Sequence, residues 1–206
     1  MGEVSRFFDS VSGDRRYSAE EHAEFMRLIA RTGVTDYGTN LQVTANDNMS
    51  VTVAQGSAVV EGYGYWLKDA PAILNIAAAN TQPRLDRIVL RLDKSVANRF
   101  VQLAVKKGTA SASPVVPSAT RSGNIYEIVL ARIRVAANAV SISAADIEDE
   151  RETPSACGLT IPKRIMDMLN QDVRNTASPT FAKVTAGTIT ATTEISAPKI
   201  TGAVYG

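Results

Sequence analysis

The sequence predicts a mainly β protein, with an N-terminal amphipathic helix, an antiparallel β-sandwich domain, a short second helix and an extended C-terminal β-stalk. Two observations predict this class. Between residues 40 and 142, many short runs alternate apolar and polar residues with a period of two. Turn-forming Gly, Asn and Pro residues separate these runs. Many short strands with turns between them are typical of antiparallel sandwiches and barrels.

Composition narrows the classes of function. The 206 residues are 45% hydrophobic and 21% charged, with 22 basic against 21 acidic side chains and a formal net charge of +1. This near-neutral balance disfavours nucleic-acid binding, and no stretch reaches the roughly 18 apolar residues of a membrane span. The first eight residues lack the basic head and apolar core of a secretory signal. We therefore expect cytoplasmic synthesis and partners that are neither nucleic acid nor membrane.

The scarcity of cysteine and histidine restricts the chemistry. Cys157 is the one cysteine and His22 the one histidine, so an intrachain disulfide is excluded and a Cys/His zinc site lacks ligands. We expect Cys157 to be a small residue at a domain edge. No nucleophile motif accompanies His22, which we expect to be a packed or half-exposed helix residue. The sequence therefore predicts no enzymatic activity and no cofactor.

The acidic run Asp146–Glu152 is the candidate metal site. It lacks the regular Asp spacing and the glycine of a calcium loop. We therefore expect a solvated acidic patch and no bound metal.

The first predicted element is a helix over Ser18–Thr32. Glu21 follows Ser18 by three residues, which is the spacing of a reciprocal capping box. Gly33 offers a left-handed stop after the last turn. An apolar face at helical spacing is formed by Phe25, Met26, Leu28 and Ile29.

The adjacent aromatic residues Phe7 and Phe8 precede this helix and belong to no periodic pattern. We expect them to anchor the chain to a neighbouring protein, so that residues 1–32 form an attachment segment and helix. The alternative is that they staple the helix to the sandwich, because a hydrophobic residue before a capped helix often packs back on it.

The β-sandwich domain is predicted over residues 33–154. It opens with a hairpin around the turn Asn46-Asp47-Asn48, and it ends where the acidic run meets Pro154. Further strands are predicted at Ala58–Leu67, Ala72–Ile76, Leu85–Leu92, Phe100–Val105, Ile125–Val135 and Val140–Ile142.

Two groups of side chains within this domain are candidates for a binding surface. Tyr63 and Tyr65 share one face of a strand, and Trp66 lies on the other. This division suits core or interface packing better than a sugar-stacking platform, which is the alternative. The densest basic group alternates with aliphatic residues, which predicts a strand with a solvated charged face. It consists of Arg84, Arg87 and Arg91.

The rest of the chain is predicted as a linker with a short helix, residues 155–175, and a stalk, residues 176–206. One helix face is apolar, with Ile165, Met168 and Leu169. The stalk repeats the order β-branched, hydroxyl, small at steps of five or six residues, with β-branched positions Val184, Ile189, Ile195 and Ile200. Such short steps leave little room for a strand and a turn, so one chain cannot form a compact sheet here, and we expect these two sets of residues to form a homotrimer interface. A flexible low-complexity tail is the alternative.

Several segments together carry a family resemblance. They are residues 7–15 (FFDSVSGDR), 40–45, 49–53, 84–93 (RLDRIVLRLD), 105–109, 126–131 and 146–151, with residues 177–185 in the tail. They resemble small structural proteins of tailed-phage tails and baseplates, in particular the baseplate upper protein type. The tail resembles the repetitive threads of phage tail fibres.

The resemblance implies a virion protein of the tail or baseplate. Such a protein docks on other tail or baseplate proteins and holds or presents a fibre or receptor-binding partner. The alternative function is a carbohydrate-binding module that contacts the host cell surface through Tyr63, Tyr65 or Trp66.

Overall fold

The structure, a computed structural model, describes residues 3–78 and 81–160, which form one α-helix, one short 3-10 helix at Ala144–Asp146 and eleven β-strands. Helix α1 spans Ala19–Ile29. The strands are β1 Gly33–Val34, β2 Val43–Asn48, β3 Ser50–Val53, β4 Gly56–Val60, β5 Tyr63–Leu67, β6 Ala72–Asn75, β7 Arg84–Asp93, β8 Phe100–Lys106, β9 Arg121–Ser122, β10 Ile125–Val135 and β11 Ile147–Asp149. The mainly β class is confirmed.

The predicted second helix and stalk lie outside the described residues. The same holds for the predicted trimer interface, which consists of Ile165, Met168, Leu169, Val184, Ile189, Ile195 and Ile200. These assignments stay predictions.

The strands form three antiparallel sheets, with the orders β1-β4-β5, β2-β3-β6 and β11-β10-β7-β8. Strand β9 pairs with β10 in the third sheet. The longest pairing joins β7 to β10 and runs from Arg84 opposite Val135 to Asp93 opposite Ile125. A β-bulge lies in β10 between Val129 and Ala131. The predicted antiparallel arrangement is confirmed.

The β7–β10 pair is buried on both faces. Because side chains alternate along a strand, Ile88, Leu90 and Leu92 of β7 share the inner face and enter the main core. On the outer face, Val89 and Val129 pack against Ala156. A sheet covered on both sides restricts the access of its charged side chains to water, so the buried ones need partners within the protein.

The predicted hairpin is confirmed as β2 and β3, in which Val43 lies opposite Val53 and Thr44 opposite Thr52. The predicted single strand over residues 58–67 is wrong, because β4 and β5 form a second hairpin there. Its two turn residues, Glu61 and Gly62, have φ of 50° and 82°. Two successive positive φ values reverse the chain in two residues.

The predicted strand Val140–Ile142 is also wrong, because no strand forms there. Ile142 is buried instead, and its amide donates to the carbonyl of Asn48 at 2.9 Å. The strand of this region is β11, which lies in the acidic run and pairs with residues 131–133 of β10.

The predicted helix start is confirmed, and the predicted end is wrong. Ser18 and Glu21 form the reciprocal capping box, with backbone-to-side-chain distances of 2.8 and 3.2 Å. The helix ends at Ile29, and Gly33 belongs to β1. A side chain at Gly33 would collide with the backbone of Gly158. Glycine is therefore needed at residue 33 for close strand packing and not for a helix stop.

The predicted solvated face of the arginine strand is wrong for Arg84, whereas Arg87 and Arg91 lie on the opposite face of β7 and are partly exposed. Arg84 is 1% exposed, and its Nε lies 3.0 Å from both carboxylate oxygens of the fully buried Asp86. Its other nitrogens donate to the carbonyls of Ala77 and Ala78. The amide of Gly108 donates to Asp86 at 2.9 Å. The alternation that suggested a wet face instead places a buried ion pair among core residues.

The prediction of a solvated acidic patch is wrong for Glu150, whose side chain is largely buried and pairs with Arg87, whereas Asp149 stays exposed. Arg151 is buried and pairs with Asp149 at 2.6 Å. Its guanidinium also donates to the carbonyls of Tyr37 at 2.9 Å and Asn40 at 2.6 Å. Burial alone would raise the pKa of Asp149, but the hydrogen bonds and charge of Arg151 hold it below its usual value.

Residues 157–160 pack against the main core and β1. Cys157 is buried in the main core. Leu159 pairs in parallel with Val34, and the amide of Thr160 donates to the Val34 carbonyl at 2.8 Å. The division of the chain into domains stays a prediction.

Replacement of Arg84 tests the buried ion pair. Arg84→Met leaves the Asp86 carboxylate buried without its cation, so we expect a loss of about 3–5 kcal/mol of unfolding free energy. Arg132→Met is the matched control, because Arg132 pairs with Glu148 on an exposed surface and we expect a loss of about 1 kcal/mol or less. Urea unfolding of both variants gives the comparison. Equal, small losses would contradict the role of the buried pair.

Candidate functional site

Helix α1 is fixed to the β domain through its polar side. Its one buried residue, Ala23, lies over the β4–β5 turn, where a side chain at Gly62 would collide with the Ala23 carbonyl. Arg27 donates to the carbonyl of Glu61 at 2.7 Å, and the hydroxyl of Tyr63 donates to Glu20 at 2.9 Å. Hydrogen bonds from Arg27 and Tyr63 lower the pKa of Glu20. Charged and polar groups therefore orient the helix.

The apolar face of α1 is left exposed by this arrangement. Leu28 is 73% exposed, and Phe25 and Ile29 are also exposed. Of the predicted face, Phe25, Leu28 and Ile29 are exposed, whereas Met26 is half-buried. The helical spacing does not reveal that this face points away from the sheets.

The N-terminal segment lies against one end of this exposed face. The ring of Phe7 lies 5.1 Å from the rings of Tyr17 and Phe25 and 5.9 Å from the imidazole of His22, measured between centroids. Phe7 has a φ of 65°, a left-handed conformation that is unfavourable for a bulky residue. The aromatic contacts hold Phe7 in this conformation.

Ion pairs fix the same segment to the helix. Arg6 pairs with Glu24 and lies 3.7 Å from a carboxylate oxygen of Glu21. Phe8 takes no part in the aromatic cluster: it is 57% exposed, with the Arg15 guanidinium carbon 5.4 Å from its ring centroid. The structure therefore joins Phe7 to the helix, whereas Phe8 faces solvent. The attachment role of both residues stays a prediction.

We use the name N-terminal apolar surface for Val4, Phe7, Phe8, Phe25, Leu28 and Ile29, all of which are exposed. Four of them, Val4, Phe7, Phe25 and Leu28, line an open cleft of about 540 Å³. Arg6, Glu24 and Arg27 lie at its edge. An apolar floor with a charged rim can bind the apolar side chains of another protein.

The aromatic residues of β5 divide between the two faces as the sequence predicts. Tyr63 and Tyr65 pack against the main core, and burial raises the pKa of Tyr65. Trp66 is 65% exposed on the opposite face. A joint platform of all three rings is therefore excluded, and only Trp66 can offer its indole to a ligand.

Sequence reasoning missed a charged cluster on the outer face of the β7–β10 pair. Glu127 is fully buried, and Arg91 lies 2.7 Å and Lys106 2.6 Å from its carboxylate. The amide of Thr120 donates to the same carboxylate at 2.7 Å. Burial alone would raise the pKa of Glu127, but these three donors lower it. The cluster holds the segment after β8 against the sheet.

A cavity of about 310 Å³ lies beside this cluster, lined in part by Arg87, Arg121 and Glu150. Arg87 binds both carboxylate oxygens of Glu150, at 3.0 and 2.9 Å. Arg121 donates to the carbonyls of Glu127 and Ala156. Both arginines thus hold neighbouring segments together.

The remaining candidate groups stand apart from one another. His22 is exposed on α1. Cys157 is buried, which raises its thiol pKa to about 12 and keeps it protonated at neutral pH. Within residues 3–78 and 81–160, no group of three or more His, Cys, Asp or Glu side chains is placed to hold a metal ion. No helix in the same residues is long and apolar enough to cross a membrane.

A scan against protein-family models and a search of curated proteins each found no match to this chain. The geometry of the described residues defines a β protein with an exposed apolar surface at its N-terminal end.

The buried Glu127 predicts a specific dependence of stability on pH. Its pKa in the folded protein lies below the unfolded value of about 4.3, so its interactions stabilise the fold above that pH. This stabilisation is lost as the pH falls through the folded pKa. We expect Glu127→Gln to be clearly less stable than the unmodified protein at pH 7, with the difference narrowing below about pH 4.

Urea unfolding at several pH values measures this difference. The other carboxylates titrate in both proteins and largely cancel in the comparison. Glu148→Gln, at an exposed position, is the matched control and should change stability little at any pH. A Glu127→Gln difference that stays constant from pH 7 to pH 3 would contradict the prediction.

Proposed function

We propose that this chain is a structural component of a phage tail or baseplate. It docks on a neighbouring tail protein through the N-terminal apolar surface, and it holds or presents a fibre or receptor-binding partner. The observation that carries this proposal is the exposure of six large apolar side chains on one N-terminal segment and one helix face.

Physical arguments support a docking role for this surface. Contiguous apolar patches on soluble proteins commonly mark interaction sites. Aromatic residues at the centre of such patches often supply most of the binding energy, and Phe7 and Phe25 line the cleft, with Phe8 exposed next to Phe7 in the chain. The polar contacts on the other side of α1 fix the helix beforehand, which lowers the entropic cost of binding.

The resemblance to tail and baseplate proteins supports the identity of the partner. It includes residues 7–15, which enter the N-terminal apolar surface, and residues 84–93, which form the central strand β7. In this proposal the three sheets belong to a β-sandwich domain, and residues 155–206 supply a short helix and a trimeric stalk. The protein is non-enzymatic, is made in the host cytoplasm and becomes part of the virion.

Substitutions at the most exposed positions test the docking surface. We expect the double variant Phe8→Ser, Leu28→Ser to lower incorporation into tail particles at least about tenfold, since docking loses two anchors. Its free energy of unfolding should change by about 0.5 kcal/mol or less per site, because both side chains are exposed. Quantitative mass spectrometry of purified particles and urea unfolding give the two readouts.

Val140→Ser is the matched control, because Val140 is an exposed aliphatic residue outside the N-terminal apolar surface. It should leave both readouts unchanged. Normal incorporation of the double variant would refute docking through this surface. A large loss of stability in that variant would show instead that Phe8 and Leu28 are structural.

The oligomeric state tests the proposed stalk. We expect sedimentation equilibrium of the full chain to give three times the mass of one chain, because repeats at steps of five or six residues leave little room for a sheet within one subunit. Replacing Ile189 and Ile195 with Ser should then shift the equilibrium to monomer. A monomeric full chain at high concentration would refute a self-sufficient stalk.

A further inference from the structure

Strand β5 carries a tryptophan, Trp66, whose ring is exposed and lies along the strand. Trp66 is the only tryptophan of the sequence, and two thirds of its surface is exposed. The ring lies over Gly64, where an added β-carbon would come within 2.7 Å of Cζ3 of the indole. Glycine at this position therefore lets the ring lie along the strand, with its other side available to a ligand.

A pair of hydroxyl groups lies next to the indole across the same sheet. Ser57 of β4 is directly opposite Trp66, and its Oγ lies 2.7 Å from Oγ1 of Thr35, which follows β1. The side chain of Asn40 fixes the Ser57 backbone, with its Oδ1 accepting from the Ser57 amide at 2.7 Å and its Nδ2 donating to the carbonyl at 3.1 Å. Two strand spacings, about 10 Å, separate the strand of Trp66 from that of Thr35.

We propose that this face of the β1-β4-β5 sheet binds a carbohydrate, with Trp66 stacked on the apolar face of a pyranose ring. A pyranose with equatorial hydroxyl groups presents its axial C–H groups on a flat face, which matches an exposed indole. Its hydroxyl groups lie around the ring edge, where Ser57 and Thr35 can donate and accept hydrogen bonds. The row of about 10 Å is long enough for more than one sugar ring.

Lys68 supplies a further polar group at this site. Its ammonium lies 5.8 Å from the centroid of the Trp66 ring and is on an exposed side chain. A ligand can displace this contact without exposing any buried group. The ammonium then remains close enough to donate to a hydroxyl or an acidic substituent on the sugar.

The surroundings of Trp66 favour a sugar over a protein partner. A protein-binding centre usually groups several large apolar side chains, as the N-terminal apolar surface does. Trp66 instead has glycine on one side, hydroxyl groups on another and a lysine above it. One aromatic ring with a hydroxyl-rich border is complementary to an oligosaccharide.

Tryptophan fluorescence gives a direct test, because Trp66 is the only indole in the chain. The full-length protein is titrated with two probes, the β-1,4-linked tetrasaccharides of glucose and of N-acetylglucosamine. We expect a saturable change in emission with at least one probe. Isothermal titration calorimetry of Trp66→Ala should show loss of that binding.

Gly64→Ala tests whether binding requires the position of the Trp66 ring or only its presence. It keeps Trp66 but pushes the ring away from the strand, so affinity should fall about tenfold. Ser57→Ala or Thr35→Val should weaken binding about 3- to 10-fold through lost hydrogen bonds. Ile73→Ala, an exposed position on β6, is the matched control and should bind normally. Thermal midpoints check that each variant is folded.

Three results would overturn the proposal. They are no emission change with either probe up to its solubility limit, sugar binding that survives Trp66→Ala, and full affinity in Gly64→Ala. An emission shift that depends on protein concentration alone would assign Trp66 to a contact between copies of the chain. The site is independent of the proposed docking function, because the titration uses the isolated protein and involves no tail particle.

Discussion

The pairing of β7 with β10 places charged side chains on both of its faces, and the buried ones among them are neutralised by partners within the protein. On the inner face, Arg84 and Asp86 neutralise each other. On the outer face, Glu127 takes cations from β7 and β8. Arg87 reaches Glu150 beyond β11. An unpaired buried charge is strongly unfavourable. The pairs of Glu127 and Arg87 therefore help to fix the segment before β9 and the segment after β11 against this sheet.

At the N-terminal end, polar contacts hold helix α1 in place, and most of its large apolar side chains are exposed. A helix in a soluble domain usually buries its apolar face. Here Ala23 is the one helix residue that is buried, and Leu28 is among the most exposed large apolar residues described. This arrangement leaves the apolar side chains of the helix exposed, and they are the ones on which the proposed docking rests.

Local signals in the sequence predicted local structure well. The burial and partners of charged side chains depend on contacts between distant segments, which these signals do not show. The capping box at Ser18 and the period-two alternation need only neighbouring residues, so they located α1, most strands and the outward face of Trp66. The partners of Arg87 and Arg91 are 63 and 36 residues away, and nothing in the alternation distinguishes a wet charged face from a neutralised one. Phe7 and Phe8 were identified as a pair, whereas only the fold shows that one packs on the helix and the other faces solvent.

The contact between Arg151 and the segment 37–40 has a consequence for the order of events during biosynthesis. The guanidinium joins residues that are 111 to 114 positions apart in the chain. Thr160 likewise completes the pairing of β1. The ribosome synthesises residues 33–41 long before it synthesises these partners. The contacts of residues 33–41 with Arg151 and Thr160 can therefore be complete only after residue 160 has left the exit tunnel. Closure of such distant contacts is slow, and the nascent chain exposes unpaired strand edges throughout that interval.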